Sequence, residues 1–189
     1  MGKAWSRGRD IVTAGAILGL VLLIVMRVGG EEAVSVTGTA RAADGDTLTL
    51  NGVRIRLTGF DAPELAQICT RGDGEWKCGL SARARLAELL RTGTVSCETR
   101  GTDRYGRTLG ACSSGEGDIG AIMVREGLAV SYGDYGAEED VARAEHRGLW
   151  SGTFEQPQAW RQLHGRPQED PHITQRGWLG FILGVVGIE

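Results

Sequence analysis

The sequence predicts an α+β domain built on a small five-stranded sheet with three helices, preceded by one membrane-spanning helix. Three observations predict it. The length of 189 residues suits one ordinary domain with terminal attachments. Short runs of period-two alternation come in the order three strands, helix, two strands, then helices. A charge-free apolar run, Ile11 to Met26, stands near the N-terminus behind Lys3, Arg7 and Arg9.

The N-terminal run comes first. At about 1.5 Å per residue it nearly spans a hydrocarbon core of about 30 Å, and Arg27 extends it by snorkelling. Its cations precede it, so residues 1–10 are expected in the cytoplasm, 11–28 in the membrane as an anchor, and the rest outside. A cleaved signal peptide is the alternative, with Val28-Gly29-Gly30 near a cut site. The run is nevertheless longer than the roughly 7 to 15 residues of an ordinary signal core.

The domain is expected over residues 33–152. Val34-Val36 and Thr47 to Leu50 alternate as strands around a turn at Asp44-Gly45, and Asn51-Gly52 is a hairpin signal before the alternating Val53 to Leu57. These read as a three-stranded meander. Gly79 to Arg91 carries Ala82, Leu86, Leu89 and Leu90 on one stripe, the pattern of a helix. Val95 to Arg100 and Arg107 to Cys112 are the fourth and fifth strands. Asp118 caps a second helix with Ile119, Ile122 and Met123 inward, and Ala137 to Arg147 forms a third, stopped by Gly148. This order suits a partly open OB-type barrel, although periodicity alone leaves other small-sheet architectures open.

Residues 153–189 read as a C-terminal extension. Glu155 to Gln175 is polar with three prolines, and Trp178 to Ile188 is apolar but too short to span a bilayer. It lies on the membrane or packs on the domain.

The whole chain has 21 Lys and Arg against 24 Asp and Glu, net −3; from Glu31 to Gly165 the counts are 15 and 20, net −5. That excludes a protein that coats polyanions through bulk positive charge, so nucleic-acid chemistry here must be local. The four cysteines lie on the exported side of the anchor, where disulfides persist. Cys69 and Cys78 flank a loop around Gly72-Asp73-Gly74, and Cys97 and Cys112 sit in two strands joined by a turn. Cys69–Cys78 and Cys97–Cys112 are therefore favoured among three possible pairings. Zinc is disfavoured, because neither pair has CxxC spacing and His146, His164 and His172 show no ligand pattern.

Charged residues of chemical interest cluster in Asp44-Gly45-Asp46-Thr47, in Arg56 through Glu64 (RLTGFDAPE), and in Asp103 through Arg107 (DRYGR). Singly each has a structural explanation: a turn, a capped helix start, a charged hairpin. Together, with DGDTLTL, TDRYGR, REGLAV and HRGLW in order, they resemble the staphylococcal nuclease, or thermonuclease, family over Val36 to Trp150. The continuation through Phe154, Pro157, Trp160-Arg161 and His164 is similar to exported bacterial members.

The resemblance implies an OB-type barrel with three helices that hydrolyses DNA or RNA phosphodiesters with calcium and leaves 3′-phosphate ends. It implies that Asp46, Asp61 and the backbone carbonyl of Ala62 hold calcium, with Asp44 nearby. Glu64 would be the general base, Arg56 and Arg107 would grip the scissile phosphate, and Tyr105 and Tyr132 would bracket the terminal nucleotide. Many members carry Thr where this chain has Ala62, but a backbone carbonyl does not depend on the side chain. Hard oxygen donors suit calcium, and fork-shaped arginines suit a phosphoryl group gaining charge.

The expected partners are a DNA or RNA substrate and the membrane, with no obligate protein partner evident. The expected location is the bacterial inner membrane with the domain on the periplasmic or extracellular side, or secretion if the N-terminal run is cut. The alternatives are a catalytically inactive nuclease-like OB module that binds nucleic acid or peptide, and a domain whose carboxylates hold calcium for structure alone.

Overall fold

Alternating residues between Val34 and Leu57 form strands, but the first run is bent into two. In this computed structural model, which describes residues 12–23 and 33–165, β1 (Val34–Gly38) and β2 (Ala40–Ala42) are the halves of that run. They are followed by β3 (Thr47–Leu50), β4 (Val53–Leu57), β5 (Phe60–Asp61), β6 (Cys69–Arg71) and β7 (Gly74–Trp76). Farther along come β8 (Val95–Thr102), β9 (Thr108–Ser114), β10 (Gly117–Asp118) and β11 (Val130–Ser131).

The main sheet runs β1-β8-β9-β4-β3-β2, with β10 beside β9. Its two outer strands are halves of one chain segment, so the sheet curls round and returns to itself as a partly open OB-type barrel. The expected meander is realised as β2-β3-β4, whereas β1 pairs with β8, Val36 facing Cys97. Asn51 and Gly52 both have positive φ, 49° and 84°, as the tight β3–β4 turn requires. β4 runs parallel to β9, Ile55 opposite Thr108.

Two small ladders were not expected from the sequence. β5 pairs β11, and β6 and β7 form a hairpin where the sequence suggests only a loop.

Residues 12–23 form helix α1, and the domain adds α2 (Cys78–Leu89), α3 (Ile119–Arg125), α4 (Gly136–Ala144) and α5 (Pro157–Leu163). The stripe of α2 is buried as expected, through Ala82, Leu86 and Leu89. The Asp118 carboxylate caps α3 by accepting a hydrogen bond from Ala121 N at 2.8 Å. The third expected helix ends at Ala144 rather than Arg147, because His146 takes a left-handed φ of 53° before a short 3-10 turn, Gly148–Ser151. The segment expected as a C-terminal extension carries a further helix, α5; Pro157, at its first turn, is buried.

Leu48, Leu50, Ile55, Leu57 and Phe60 from the barrel pack against Ala82, Leu86, Leu89, Ile119 and Met123. A second cluster gathers Cys69, Cys78, Val130 and Leu149 with Trp76, Trp150 and Phe154. Both expected disulfides are present, Cys69–Cys78 in the second cluster and Cys97–Cys112 across β8 and β9, where the two residues are directly opposed with Cα atoms 4.0 Å apart.

The chain divides into two units, Met1–Glu32 and Ala33–Glu189. In the first, residues 12–23 are exposed all round α1. Among the described residues no helix is long and apolar enough to cross a membrane. The rest of the expected anchor, the basic segment before it and the apolar tail lie outside the described residues.

The bridges close loops with sequence separations of 9 and 15 residues. Loops of this size are stabilised by about 3 kcal/mol each. Reduction is expected to lower the melting temperature by roughly 10 °C or more for a domain of this size. Calorimetry with and without reductant checks this, and coincident melts would show that the bridges do not stabilise the fold.

Candidate active site

The turn between β2 and β3 is built by Asp44, whose Oδ1 accepts hydrogen bonds from Asp46 N at 3.1 Å and Thr47 N at 2.7 Å. This is an Asx turn, the local preference of Asp. Gly45 is needed for packing: a Cβ there would lie 2.6 Å from the Ala62 Cβ and 3.0 Å from the Ala82 Cβ. The turn is thus pressed against the loop that carries the other carboxylates, and Asp46 faces inward.

Strand register then sets the next contact. Thr47 is opposite Arg56, which lies buried on β4 with 3% exposure. The Arg56 guanidinium bridges two carboxylates, pairing through Nη1 with Asp46 Oδ1 and through Nη2 with Asp61 Oδ1 at 2.9 Å. Asp46 Oδ2 also accepts from Ala62 N at 3.1 Å. Burial pushes the Asp46 carboxyl up to about 6, with Asp44 and Asp61 adding to the rise, while Arg56 opposes it. The site therefore concentrates negative charge where water is scarce.

Glu64 follows on the loop after β5. Its backbone N donates to Gln67 Oε1 at 3.2 Å, and its carbonyl accepts from Gln67 N at 2.7 Å. Gln67 is itself 1% exposed and donates through Nε2 to Glu155 O at 2.7 Å. The Glu64 side chain meets Arg161, whose Nη1 lies 3.2 Å from Oε1. Arg161 also binds Asp61 with both Nη atoms, at 3.1 and 2.8 Å.

On the opposite wall, Asp103 organises the β8–β9 turn. It accepts from Tyr105 N and Arg107 N, both at 2.9 Å, and from Arg107 Nε at 2.7 Å. Burial alone would raise the Asp103 carboxyl, but the backbone and guanidinium of Arg107, with the Tyr105 amide, hold it below its ordinary value of 3.8. Its ionised form thus stabilises the turn above that value, and the contribution is lost as falling pH protonates it. The Tyr105 ring is 46% exposed, with the Arg104 and Arg107 guanidinium carbons 5.0 and 5.5 Å from its centroid.

Asp44, Asp46, Arg56, Ala62, Glu64, Tyr105 and Arg107 line one open cleft of about 280 Å³. Asp61 joins them through its bonds to Arg56 and Arg161. Tyr132 does not line the cleft; its amide donates to Gly59 O at 2.8 Å beside β5. Its neighbour Tyr135 packs edge-on against Phe60, and burial beside Asp118 raises its hydroxyl pKa. Arg54 and Arg161 line the cleft without having been singled out from the sequence. Arg54 was legible in principle, two residues before Arg56 and so on the same face of β4. Arg161 had no local signal beyond its place in the Trp160-Arg161 pair.

The donors suit a hard cation: carboxylates at Asp46 and Asp61 and the backbone at Ala62 supply oxygen only. Among the described residues no three His, Cys, Asp or Glu side chains converge as a complete metal cage.

A curled barrel with carboxylates and guanidinium groups gathered at one open edge is an arrangement suited to phosphodiester hydrolysis. A family model described as staphylococcal nuclease homologue matches residues 54–152. The succinoglycan biosynthesis protein ExoI of Rhizobium meliloti is 35% identical over 146 residues, 73% of this chain and 75% of that protein. A micrococcal nuclease of Shigella flexneri is 35% identical over 144 residues, 65% and 78% of the respective chains. An uncharacterized endonuclease of Escherichia coli is 34% identical over 133 residues, 64% and 81%. The chain belongs to the staphylococcal nuclease family and is a nuclease, a hydrolase of phosphodiester bonds.

Because Asp103 bonds both the backbone and the Nε of Arg107, Asp103→Ala is expected to lower kcat/KM by about 10- to 100-fold if the Arg107 guanidinium acts in the cleft. Steady-state cleavage of single-stranded DNA by the folded variant checks this, and an unchanged rate would separate Arg107 from Asp103.

Proposed function

We propose that this nuclease depends on calcium, cleaves DNA, RNA or both with little sequence preference, and leaves 3′-phosphate ends. One observation carries the reading: the Arg56 fork joins Asp46 and Asp61 in the same cleft that Glu64 and Arg107 line.

Asp46, Asp61 and the Ala62 carbonyl would hold the calcium ion, with the Asp44 carboxylate adding negative charge nearby. Bound there, calcium supplies Lewis-acid polarisation of a phosphoryl oxygen. Glu64 takes a proton from water as the water oxygen bonds to phosphorus. The bond from phosphorus to the 5′ oxygen breaks, and that oxygen takes a proton from solvent water as it leaves, so the phosphate stays on the 3′ side. Negative charge grows on the phosphoryl oxygens during this displacement, and Arg56 and Arg107 place permanent positive charge against it. Arg56 is held by two carboxylates and Arg107 by Asp103, so neither has to be ordered when substrate arrives.

Tyr105 presents a half-exposed ring at the cleft on which a base stacks. Arginine contacts to phosphate carry no sequence information, which accords with low specificity. With a net charge of −5 over residues 31–165, substrate capture is expected to be weak.

We propose further that residues 11–28 anchor the enzyme in a bacterial inner membrane with the domain on the outer side. The apolar residues exposed all round α1, the cations ahead of it and two disulfides support that placement.

The test is hydrolysis of single-stranded DNA, duplex DNA and RNA by the full chain in detergent, with calcium, with magnesium and with chelator. Calcium-dependent cleavage is expected, and end-labelling of the products should show 3′-phosphates. Glu64→Gln and Arg107→Ala should each lower kcat by at least roughly 100-fold, the scale of losing a base or a transition-state charge contact. Equal rates with chelator would remove calcium from the mechanism, and near-wild-type turnover in either folded variant would remove that residue.

A further inference from the structure

The chain beyond the 3-10 turn returns to the cleft along a fixed path. Thr70 N donates to Thr153 O at 2.9 Å, Arg71 Nε to Ser151 Oγ at 2.8 Å, and Gln67 Nε2 to Glu155 O at 2.7 Å. A Cβ on Gly152 would lie 1.9 Å from Thr70 O, so backbone meets backbone at this crossing. Phe154 packs edge-on against Trp150, ring centroids 5.0 Å apart, and Pro157 is buried at the start of α5. The strap is thus pinned to β6 and to the Glu64 loop before α5 begins.

One helical turn later, Arg161 enters the cleft from α5 with 4% exposure. Its guanidinium spans both oxygens of Asp61 and reaches Glu64 Oε1 with the Nη1 that also binds Asp61 Oδ1. A single planar group therefore links the two carboxylates, Asp61 being held by Arg56 as well. Arginine suits this because its fork is rigid and its charge permanent. Without it two like charges repel, and the Glu64 side chain regains rotamers that point away from the cleft.

We propose that Arg161 is a positioning residue of the active site: it holds Glu64 and Asp61 in fixed relation, and so makes α5 part of the catalytic apparatus. The proposal rests on the nuclease mechanism above, in which Glu64 activates water and Asp61 binds the metal.

The test compares the full chain in detergent with its Arg161→Met, Arg161→Ala and Arg161→Lys variants. It reads kcat and KM on single-stranded DNA, the calcium dissociation constant by calorimetry, and the melting temperature. For Met and Ala, kcat is expected to fall by roughly 30-fold or more, with KM within about threefold of wild type, because the reacting groups and not the substrate contacts are disturbed. Calcium should bind roughly threefold or more tightly, since a cation beside a ligand carboxylate repels the metal. Slower turnover with tighter calcium binding is a combination that loss of structure does not produce. Lys keeps the charge without the fork, and is expected to recover about tenfold of the lost kcat while staying below wild type.

Turnover within about threefold of wild type in folded Arg161→Met would overturn the proposal. So would a raised KM at unchanged kcat, which would make Arg161 a substrate contact, or weaker calcium binding alongside lower melting temperature in all three variants. If the neutral variants do not fold, Arg161→Lys decides: wild-type kcat rejects the need for the fork, and a reduced kcat at unchanged KM supports it. A wild-type chain that cleaves nothing with any divalent cation would instead reject the mechanism itself, before any variant is compared.

Discussion

The pairing of the Arg56 guanidinium with Asp46 and Asp61 is the contact on which the rest of the site depends. All three side chains are buried. Charges out of water are tolerated only when paired and hydrogen-bonded, and removing one partner of such a pair typically costs about 3–5 kcal/mol. Three local structures must therefore agree in space. The Asx turn at Asp44 orients Asp46, the β3–β4 register sets Arg56 beside it, and Gly59, at a φ of 87°, turns the chain so that β5 brings Asp61 back to the same guanidinium. Leu57 N donating to Asp46 O at 2.7 Å ties the first of these to the second.

This arrangement explains why an acidic protein can handle a polyanion. The cleft cations Arg56 and Arg107 are held in place by carboxylates, so positive charge is fixed locally while the domain as a whole stays negative. The rise of the Asp46 carboxyl to about 6 has the same origin, since burial beside Asp44 and Asp61 outweighs the pull of Arg56. A cleft in which carboxylates crowd in this way is suited to a divalent cation, and pre-set arginines suit charge that develops only during reaction.

Rigidity reaches the Glu64 loop from several directions. Gly79, near the start of α2, leaves no room for a side chain, because a Cβ there would sit 1.8 Å from Glu64 O. Gln67 bonds both the amide and the carbonyl of Glu64, and the Cys69–Cys78 bridge fastens the following hairpin to α2. The second apolar cluster around that bridge is small, but it lies where the loop, the hairpin and the returning C-terminal strap converge. Local stiffness of this kind suits the general-base role proposed for Glu64, since the efficiency of a base depends on distance and orientation.

Much of this was legible in the sequence because it rests on short-range chemistry. Asn51-Gly52 allows little but a tight hairpin, the stripe Ala82, Leu86 and Leu89 marks a buried helix face, and Asp118 caps its helix through its own side chain. The segments DGDT, RLTGFDAPE and DRYGR singled out Asp46, Arg56, Glu64 and Arg107, which the fold brings to one cleft, and the cysteine spacings favoured the pairing observed. What stayed hidden depends on partners distant along the chain. The first strand breaks because one half finds β8 and the other β3, a choice set by barrel closure rather than by residues 34 to 42. Tyr132 is not among the cleft-lining residues; it follows β11, whose ladder with β5 stands apart from the main sheet. Arg161 sits 100 residues from Asp61, on a seven-residue helix too short to be stable alone or to show a period. The sequence by itself determined the turns, the helix stripes and the identity of most of the charged residues that line the cleft. Only the tertiary structure decided that the C-terminal strap closes on the site, because its position is held by contacts to Gln67, Thr70 and Arg71 that no local pattern encodes.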